Sequence, residues 1–154
     1  MKKIIIVLTV VLATFGFVAK SDATLTPVDL ELSLLLDGSG SISTPEYNLR
    51  KRGYVNAFND PSVLAAINGA GTQGIAVNLI YWSGYGEQVE AVGWSHIYDV
   101  ASASAFASSI NSTSRPFSDS YTSPGSAIDY ADNLFFMNDY DASRQVIDVS
   151  GDGI

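Results

Sequence analysis

The stretch "LLLDGSGSIS", residues 34–43, passes from a run of leucines into an aspartate and then into an alternation of glycine and serine. The leucines upstream first alternate with other residues and then become continuous, which predicts a strand of a parallel sheet that is buried on both faces near its end. The alternating leucines are Leu30, Leu32, Leu34 and Leu36, and Leu35 lies on the opposite face.

The residues after this strand carry oxygen-bearing side chains at every second position. Asp37 ends the strand, and Ser39 and Ser41 follow, separated by glycines that permit a tight loop with inward-facing hydroxyls. This pattern indicates a site for a ligand that oxygen atoms bind. The alternative is that the segment from Asp37 to Ser39 forms an ordinary turn, since aspartate, glycine and serine all favour turns.

Three of the next elements are helices with recognisable amino-terminal caps. Ser43 and Glu46 have the spacing of a capping box, Asp60 precedes Pro61 at the start of a second helix, and Asp99 precedes a third apolar pattern at helical spacing. The hydrophobic positions that follow each cap indicate that these helices pack against a sheet.

The remaining apolar runs predict more strands and a fourth helix. Residues 74–84 and the segment 144–154 contain buried strands, and residues 87–94 follow a glycine-rich turn at the spacing of a shorter antiparallel edge strand. A long loop over residues 111–125 leads to a helix from about Ser126 to Met137. This order of elements predicts a doubly wound α/β fold, with a mostly parallel sheet and helices on both faces.

The amino terminus has the composition of a secretory signal peptide. Two lysines precede an uncharged apolar run over residues 4–19, and a small-residue cleavage site ends at Ala23. The alternative is an uncleaved anchor, but the run is shorter than the ~20 residues that a spanning helix needs. We therefore expect a signal peptide over residues 1–23, one domain over residues 24–154, a periplasmic or secreted location and no stable membrane span after cleavage.

The composition limits the partners of the chain. The 154 residues carry a formal net charge of -8 and contain no cysteine. An acidic chain repels nucleic acid and anionic membranes and attracts cations, so we expect no nucleic-acid partner. The absence of cysteine excludes disulfides, thiol catalysis and cysteine-type zinc sites.

A second acidic residue follows the last predicted strand. Because the carboxyl ends of parallel strands meet at one edge of a sheet, Asp37 and Asp152 should approach each other there, near the loop that ends at Ser126. Two carboxylates about 5 Å apart repel each other by about 3 kcal/mol at an effective dielectric constant of ~20, and a bound cation would offset this repulsion. Oxygen ligands without histidine or cysteine suit Mg²⁺, Mn²⁺ or Ca²⁺.

These residues carry a family resemblance. The pattern Asp37-x-Ser39-x-Ser41 resembles the metal-ion-dependent adhesion site of von Willebrand factor type A domains, and Asp152-Gly153 looks like the later Asp-Gly of that family. The resemblance spans residues 28–154 and implies the Rossmann-like layout of that family. The segments "DGSGSISTPEYNLRKRGYVNAFNDPSVLAAI", "YWSG" and "VIDVSGDG" closely resemble a bacterial subgroup of unknown function that carries a signal peptide.

The resemblance implies a set of ligands. Ser39 and Ser41 would bind the metal directly, Asp37 and Asp152 would act largely through water, and the threonine ligand of the family falls on Ser126. Thr122 is the alternative for that last ligand. The family continues past its Asp-Gly with further strands and helices, so the resemblance also implies a domain that is truncated at its carboxyl terminus and leaves its last strand as an edge.

The function that follows from the resemblance is binding. We expect a secreted or periplasmic module that uses Mg²⁺, or Mn²⁺ or Ca²⁺, to bind an aspartate or glutamate carboxylate of a protein partner, without catalytic residues. One alternative is a metal-assisted hydrolase, for which His96 and the aspartates of the site are the available bases. The other is a truncated domain without independent function.

Overall fold

The leucine-rich strand lies in the interior of a four-stranded sheet. The computed structural model describes residues 24–117 and 121–152. The predicted signal peptide, residues 1–23, and Gly153 lie outside the described residues. The strands are β1 (Thr26–Pro27), β2 (Leu30–Asp37), β3 (Ile75–Trp82), β4 (Gln88–Ile97), β5 (Tyr140–Asp141) and β6 (Gln145–Ser150). The helices are α1 (Thr44–Asn59), α2 (Pro61–Ala70), α3 (Val100–Ser112) and α4 (Pro124–Phe135).

The large sheet has the order β4-β3-β2-β6. Strand β2 runs parallel to both β3 and β6, whereas β4 is antiparallel to β3. Asp37 pairs with Trp82, and Leu36 pairs with Ser150, so three parallel strands end side by side. Outside this sheet, β1 and β5 form a two-stranded parallel pair that the sequence analysis did not predict.

Helices cover both faces of the sheet, which confirms the predicted fold class. On one face, buried side chains of β2 and β3 pack against α1, α2 and α3, whose contributions include Phe58, Ile67 and Phe106. On the other face, Leu35 packs with Ala131 of α4 and with further side chains of β3. The continuous apolar run of β2 therefore arises because both of its faces are covered.

Helices α1, α2 and α3 begin where the caps predict. The Oγ atom of Ser43 accepts a hydrogen bond from the backbone N–H of Glu46, whose carboxylate accepts one from the N–H of Ser43, as in a capping box. Asp60 caps α2 by accepting from the N–H of Ser62 at 2.8 Å. These contacts satisfy N–H groups that a helix start leaves without intrahelical partners.

Two predicted boundaries were wrong. Strand β4 extends over ten residues to Ile97 and is not the short strand expected over residues 87–94. Helix α4 begins at Pro124, earlier than the predicted start near Ser126. Across the described parts of the chain, the helices are all too short or too polar to span a bilayer.

Candidate metal centre

Four loops meet at the carboxyl edge of the sheet. They follow β2, β3, α3 and β6, and the first three are joined by hydrogen bonds between their backbones or side chains. The N–H of Gly38 donates to the carbonyl of Trp82 at 2.8 Å, and the N–H of Ser123 donates to the carbonyl of Ser83 at 2.8 Å. The sheet therefore fixes the relative positions of the predicted site residues.

Asp37 is fully buried at this edge, with 0% of its surface exposed. Its Oδ1 atom accepts a hydrogen bond from the N–H of Ser39 at 2.8 Å. Its Oδ2 atom has no hydrogen-bond partner among the described residues. Burying a carboxylate oxygen without a hydrogen-bond donor costs free energy. A positively charged ligand or a proton donor next to this atom would offset that cost.

Three hydroxyl groups lie together beside Asp37, and we call them the hydroxyl triad: Ser39, Ser41 and Thr122. The Oγ atom of Ser39 is 3.0 Å from the Oγ atom of Ser41. The hydroxyl of Thr122 donates to the same Ser39 atom at 3.3 Å. Two of these groups come from the loop after β2 and one from the loop before α4, so the triad is assembled by tertiary structure.

Ser126, the first choice for the threonine ligand of the family, makes other contacts. Its Oγ atom donates to Ser123 at 3.0 Å and accepts from the Nε2 atom of Gln88 at 2.9 Å. None of the hydrogen bonds that it makes with described residues reaches the triad. Because α4 begins at Pro124, after its N-cap residue Ser123, Ser126 lies inside the first turn, and Thr122 lies before the helix. The preference of proline for the first helical position could have indicated this from the sequence.

Asp152 arrives at the same edge through Gly151. A Cβ atom built on Gly151 would lie only 3.1 Å from Oδ2 of Asp37 and 3.3 Å from the ring of Trp82. The backbone after β6 therefore passes directly against the buried carboxylate, and a larger residue would have to displace it. Asp152 is the next residue, and it is exposed.

Arg115 is a residue of the site that the sequence analysis missed. Its Nε atom donates to the carbonyl of Gly38 at 3.1 Å, and its Nη2 atom donates to the carbonyl of Ser39. The guanidinium also lies over the ring of Tyr47, 5.5 Å from the centroid. Burial raises the pKa of Tyr47 well above its usual value, so this ring stays neutral beside the arginine. Arg115 thus holds the backbone of the loop that carries Ser39.

The donor set fits a hard cation. An unpartnered carboxylate oxygen, three hydroxyls and a second carboxylate one residue beyond Gly151 are oxygen donors of the kind that Mg²⁺, Mn²⁺ and Ca²⁺ bind. Within residues 24–117 and 121–152, three or more acidic, histidine or cysteine side chains do not come together in any metal-binding group. A cation at this edge would therefore depend on the hydroxyl triad as well as on the aspartates.

His96 lies at the other end of the sheet. It pairs with Ala76 near the start of β3, and its Nε2 atom is 2.6 Å from the carbonyl of Gln73. Asp37 pairs with Trp82 at the end of β3, roughly 20 Å away at ~3.3 Å per residue. His96 therefore cannot act as a base for a group bound beside Asp37.

Comparisons with known proteins show similarity to solved structures and to a protein family. The vWF domain of the type V pili tip protein Mfa5 from Porphyromonas gingivalis has a TM-score of 0.49 and 15% identity, and the match covers 82% of this chain and 38% of that chain. A structure of three N-terminal domains of Mfa5 has a TM-score of 0.47 and 14% identity, and the match covers 78% of this chain and 19% of that chain. This chain thus spans well under half of either Mfa5 structure, and no curated protein matches it. A family model described as "Protein of unknown function (DUF1194)" matches residues 27–154, which confirms the predicted resemblance to a group of unknown function, and the chain belongs to this family.

Proposed function

We propose that the chain is a binding module that uses a divalent cation at the carboxyl edge of its sheet to bind a carboxylate of a protein partner. The cation would be Mg²⁺, or alternatively Mn²⁺ or Ca²⁺, and the partner would supply an aspartate or a glutamate. The single observation that carries the proposal is the buried Asp37 carboxylate, which lies next to the hydroxyl triad. Its Oδ2 atom lacks a hydrogen-bond partner among the described residues.

The cost of burial supports a cation at this position. Among the described residues, Asp37 receives one hydrogen bond, from Ser39, and Arg115 directs its donors to backbone carbonyls of the same loop. The second oxygen of Asp37 therefore receives no compensation from the described side chains. A divalent ion would provide it, because buried charges in proteins are paired or coordinate metals.

The chemistry of the hydroxyls supports a role in binding a partner. Serine and threonine hydroxyls are neutral ligands, so the triad would compensate none of the charge of a bound cation, and Asp37 and Asp152, acting largely through water, would offset it only in part. Such an ion would attract a further anionic oxygen, and a carboxylate is the commonest one on protein surfaces. The exposure of Ser41 and Asp152 supports access from solvent to this edge.

The proposed location is the periplasm or the cell exterior. It rests on the signal-peptide pattern of residues 1–23. The acidic character of the chain supports a partner that is neither nucleic acid nor an anionic membrane surface.

The test of the cation site is thermal unfolding in Mg²⁺ and in chelator. A ligand at 100 times its dissociation constant stabilises the folded state by about 2.7 kcal/mol, which corresponds to a rise in Tm of roughly 8 °C for a domain of this size. We expect this increment in the native protein and its loss in Asp37→Asn. In chelator, Asp37→Asn should be as stable as the native protein or more stable, because the substitution removes a buried charge.

The matched control is Asp132→Asn, which makes the same charge change on an exposed residue of α4. This variant should retain the full increment. Equal melting curves in Mg²⁺, Mn²⁺, Ca²⁺ and chelator for the native protein would contradict the proposal. So would an increment that survives in Asp37→Asn.

A further inference from the structure

A cleft lies near the segment that carries Thr122, and Ser126, four positions further along the chain, belongs to its lining. It has a volume of about 270 Å³ and opens between the turn after β3 and the first turns of α4. We call it the tyrosine pocket, and its side chains are those of Tyr85, Gln88, Ser126, Asp129, Tyr130 and Asn133. The hydrogen bonds within the hydroxyl triad do not involve these side chains.

One wall of the pocket is held rigidly. The Nε2 atom of Gln88 donates to the carbonyl of Gly84 at 3.0 Å and to the hydroxyl of Ser126 at 2.9 Å. The hydroxyl of Ser126 is in turn bonded to Ser123. These contacts tie the turn after β3 to the start of α4 and fix the width of the cleft.

The two tyrosines present aromatic surface in different ways. Tyr85 is 90% exposed at the tip of its turn, so nearly all of its ring faces solvent. Tyr130 is half-buried and packs against the cluster that contains Leu35 and Trp82, which fixes its position. Exposed tyrosine is typical of binding surfaces, where a rigid ring supplies contact area at a low cost in conformational entropy.

The charge of the pocket is negative. Asp129 is exposed, and its carboxylate makes no hydrogen bond with any described residue. The lining contains no basic residue, and α4 carries a second acid, Asp132, and no lysine or arginine. An aromatic face attracts cations through its quadrupole, and an adjacent carboxylate adds charge attraction.

We propose that the tyrosine pocket binds an arginine or lysine side chain of a protein partner. A guanidinium or ammonium group between Tyr85 and Tyr130 would contact the carboxylate of Asp129. A sugar could also stack on the tyrosines, but a neutral ligand would gain little from the negative field. The acidic chain as a whole, at -8, also favours a basic group.

The pocket lies close enough to the proposed cation site for one partner segment to occupy both. This step rests on the proposed function. Thr122 of the triad and Ser126 of the pocket are four positions apart, so their Cα atoms are separated by no more than about 14 Å. An extended partner segment advances roughly 3.3 Å per residue. One segment could therefore place an acidic residue at the cation and a basic residue, about four or five positions away, in the tyrosine pocket.

The experiment uses a probe that contains a guanidinium and no carboxylate. N-acetyl-arginine N-methylamide is titrated into ¹⁵N-labelled protein in the presence of chelator, with N-acetyl-norleucine N-methylamide and methyl glucoside as neutral probes. We expect saturable shifts of the amides of Tyr85, Gly86 and residues 126–133 with the arginine probe alone. The dissociation constant should rise roughly twofold to fivefold in Asp129→Asn and in Tyr85→Ala.

Asp132→Asn is again the matched control, because Asp132 lies on the same helix and does not line the pocket. It should leave the dissociation constant unchanged. The proposal is overturned by any of three results: no saturable shift with arginine, equal shifts with norleucine or the glucoside, or equal effects of Asp129→Asn and Asp132→Asn. Since chelator is present throughout, failure of the cation site would leave this measurement unaffected.

Discussion

At the scale of single residues, Asp37 and Arg115 contact the same loop in different ways. Arg115 binds the carbonyls of Gly38 and Ser39, so its donors fix the backbone from which the Ser39 side chain projects. Asp37 accepts from the N–H of Ser39, and its other oxygen has no hydrogen-bond partner among the described residues. The arginine therefore orders the loop through backbone carbonyls and not through the carboxylate of Asp37.

The choice between Thr122 and Ser126 is decided by one pair of substitutions. Thr122→Ala removes a member of the triad, so the rise in Tm with Mg²⁺ should shrink or disappear. Ser126→Ala breaks contacts with Gln88 and Ser123, so it should cost about 0.5–1.5 kcal/mol in Mg²⁺ and in chelator alike. Thermal unfolding of both variants in both conditions checks this.

The control for this pair is Thr122→Ser, which keeps the hydroxyl and loses only the methyl group that restricts the side-chain rotamer. It should retain most of the Mg²⁺ increment. If Ser126→Ala loses the increment and Thr122→Ala keeps it, then Ser126 is the ligand and the loop rearranges when the cation binds.

Some residues of the candidate site could be identified from the sequence, and others could not. Asp37, Ser39 and Ser41 belong to one short loop, so their proximity follows from local geometry alone. Thr122 joins the triad from a loop whose position depends on where α4 begins, and the sequence placed that start near Ser126, two residues too late. Arg115 contacts a loop more than seventy positions away, and no local sequence pattern indicates such a contact.

At the scale of elements, caps were predicted well because the residues that form a cap are three positions apart or fewer. Asp99 shows this for α3: its Oδ1 atom accepts from the N–H of Ser102 at 2.7 Å, and the Ser102 hydroxyl donates to the same atom. Those hydrogen bonds, from the hydroxyl and then from the backbone, lower the pKa of Asp99 below its usual value.

This lowered pKa predicts how the stability that the cap provides depends on pH. A carboxyl whose pKa is lower in the folded state stabilises the fold above its unfolded pKa of 3.8, and the contribution is lost as pH falls through the folded pKa. Asp99→Ala should therefore lower Tm at pH 6, and the deficit relative to the native protein should become smaller near pH 2.5. Melting curves of both proteins at the two pH values measure it.

Asp99→Ser separates the charge from the cap. Serine also caps helices, but it does not titrate in this range. This variant should differ from Asp99→Ala by the same amount at both pH values. An Asp99→Ala deficit that is equal at pH 6 and pH 2.5 would show that the charge of Asp99 contributes nothing to α3.

Elements whose limits depend on distant partners were predicted poorly. The β1–β5 pair joins Thr26 to Tyr140 through only two residues on each side, too few to leave a periodic pattern. Strand β4 continues three residues past Trp94, and its pairing with β3 shifts register between Val77 and Ile80. The irregular strand continues because its partner β3 is fully buried and continuous.

At the scale of the whole molecule, the two open edges of the described sheet differ in their protection. Strand β4 has shifts in register and carries Glu90, features that discourage pairing with another strand. Strand β6 pairs with β2 in regular register along all six of its residues. Its one charged residue, Asp148, accepts a hydrogen bond from Tyr54 of α1.

This asymmetry predicts that residues 24–154, expressed alone, self-associate through β6. Val149 is 41% exposed on that strand, and Val89 is 37% exposed on β4. A lysine at an edge opposes the addition of another strand, so Val149→Lys should raise the fraction of monomer in sedimentation velocity at high protein concentration. Val89→Lys makes the same change on the protected edge and should have little effect. A native protein that stays monomeric, with slow hydrogen exchange over residues 145–150, would instead show that β6 does not promote self-association.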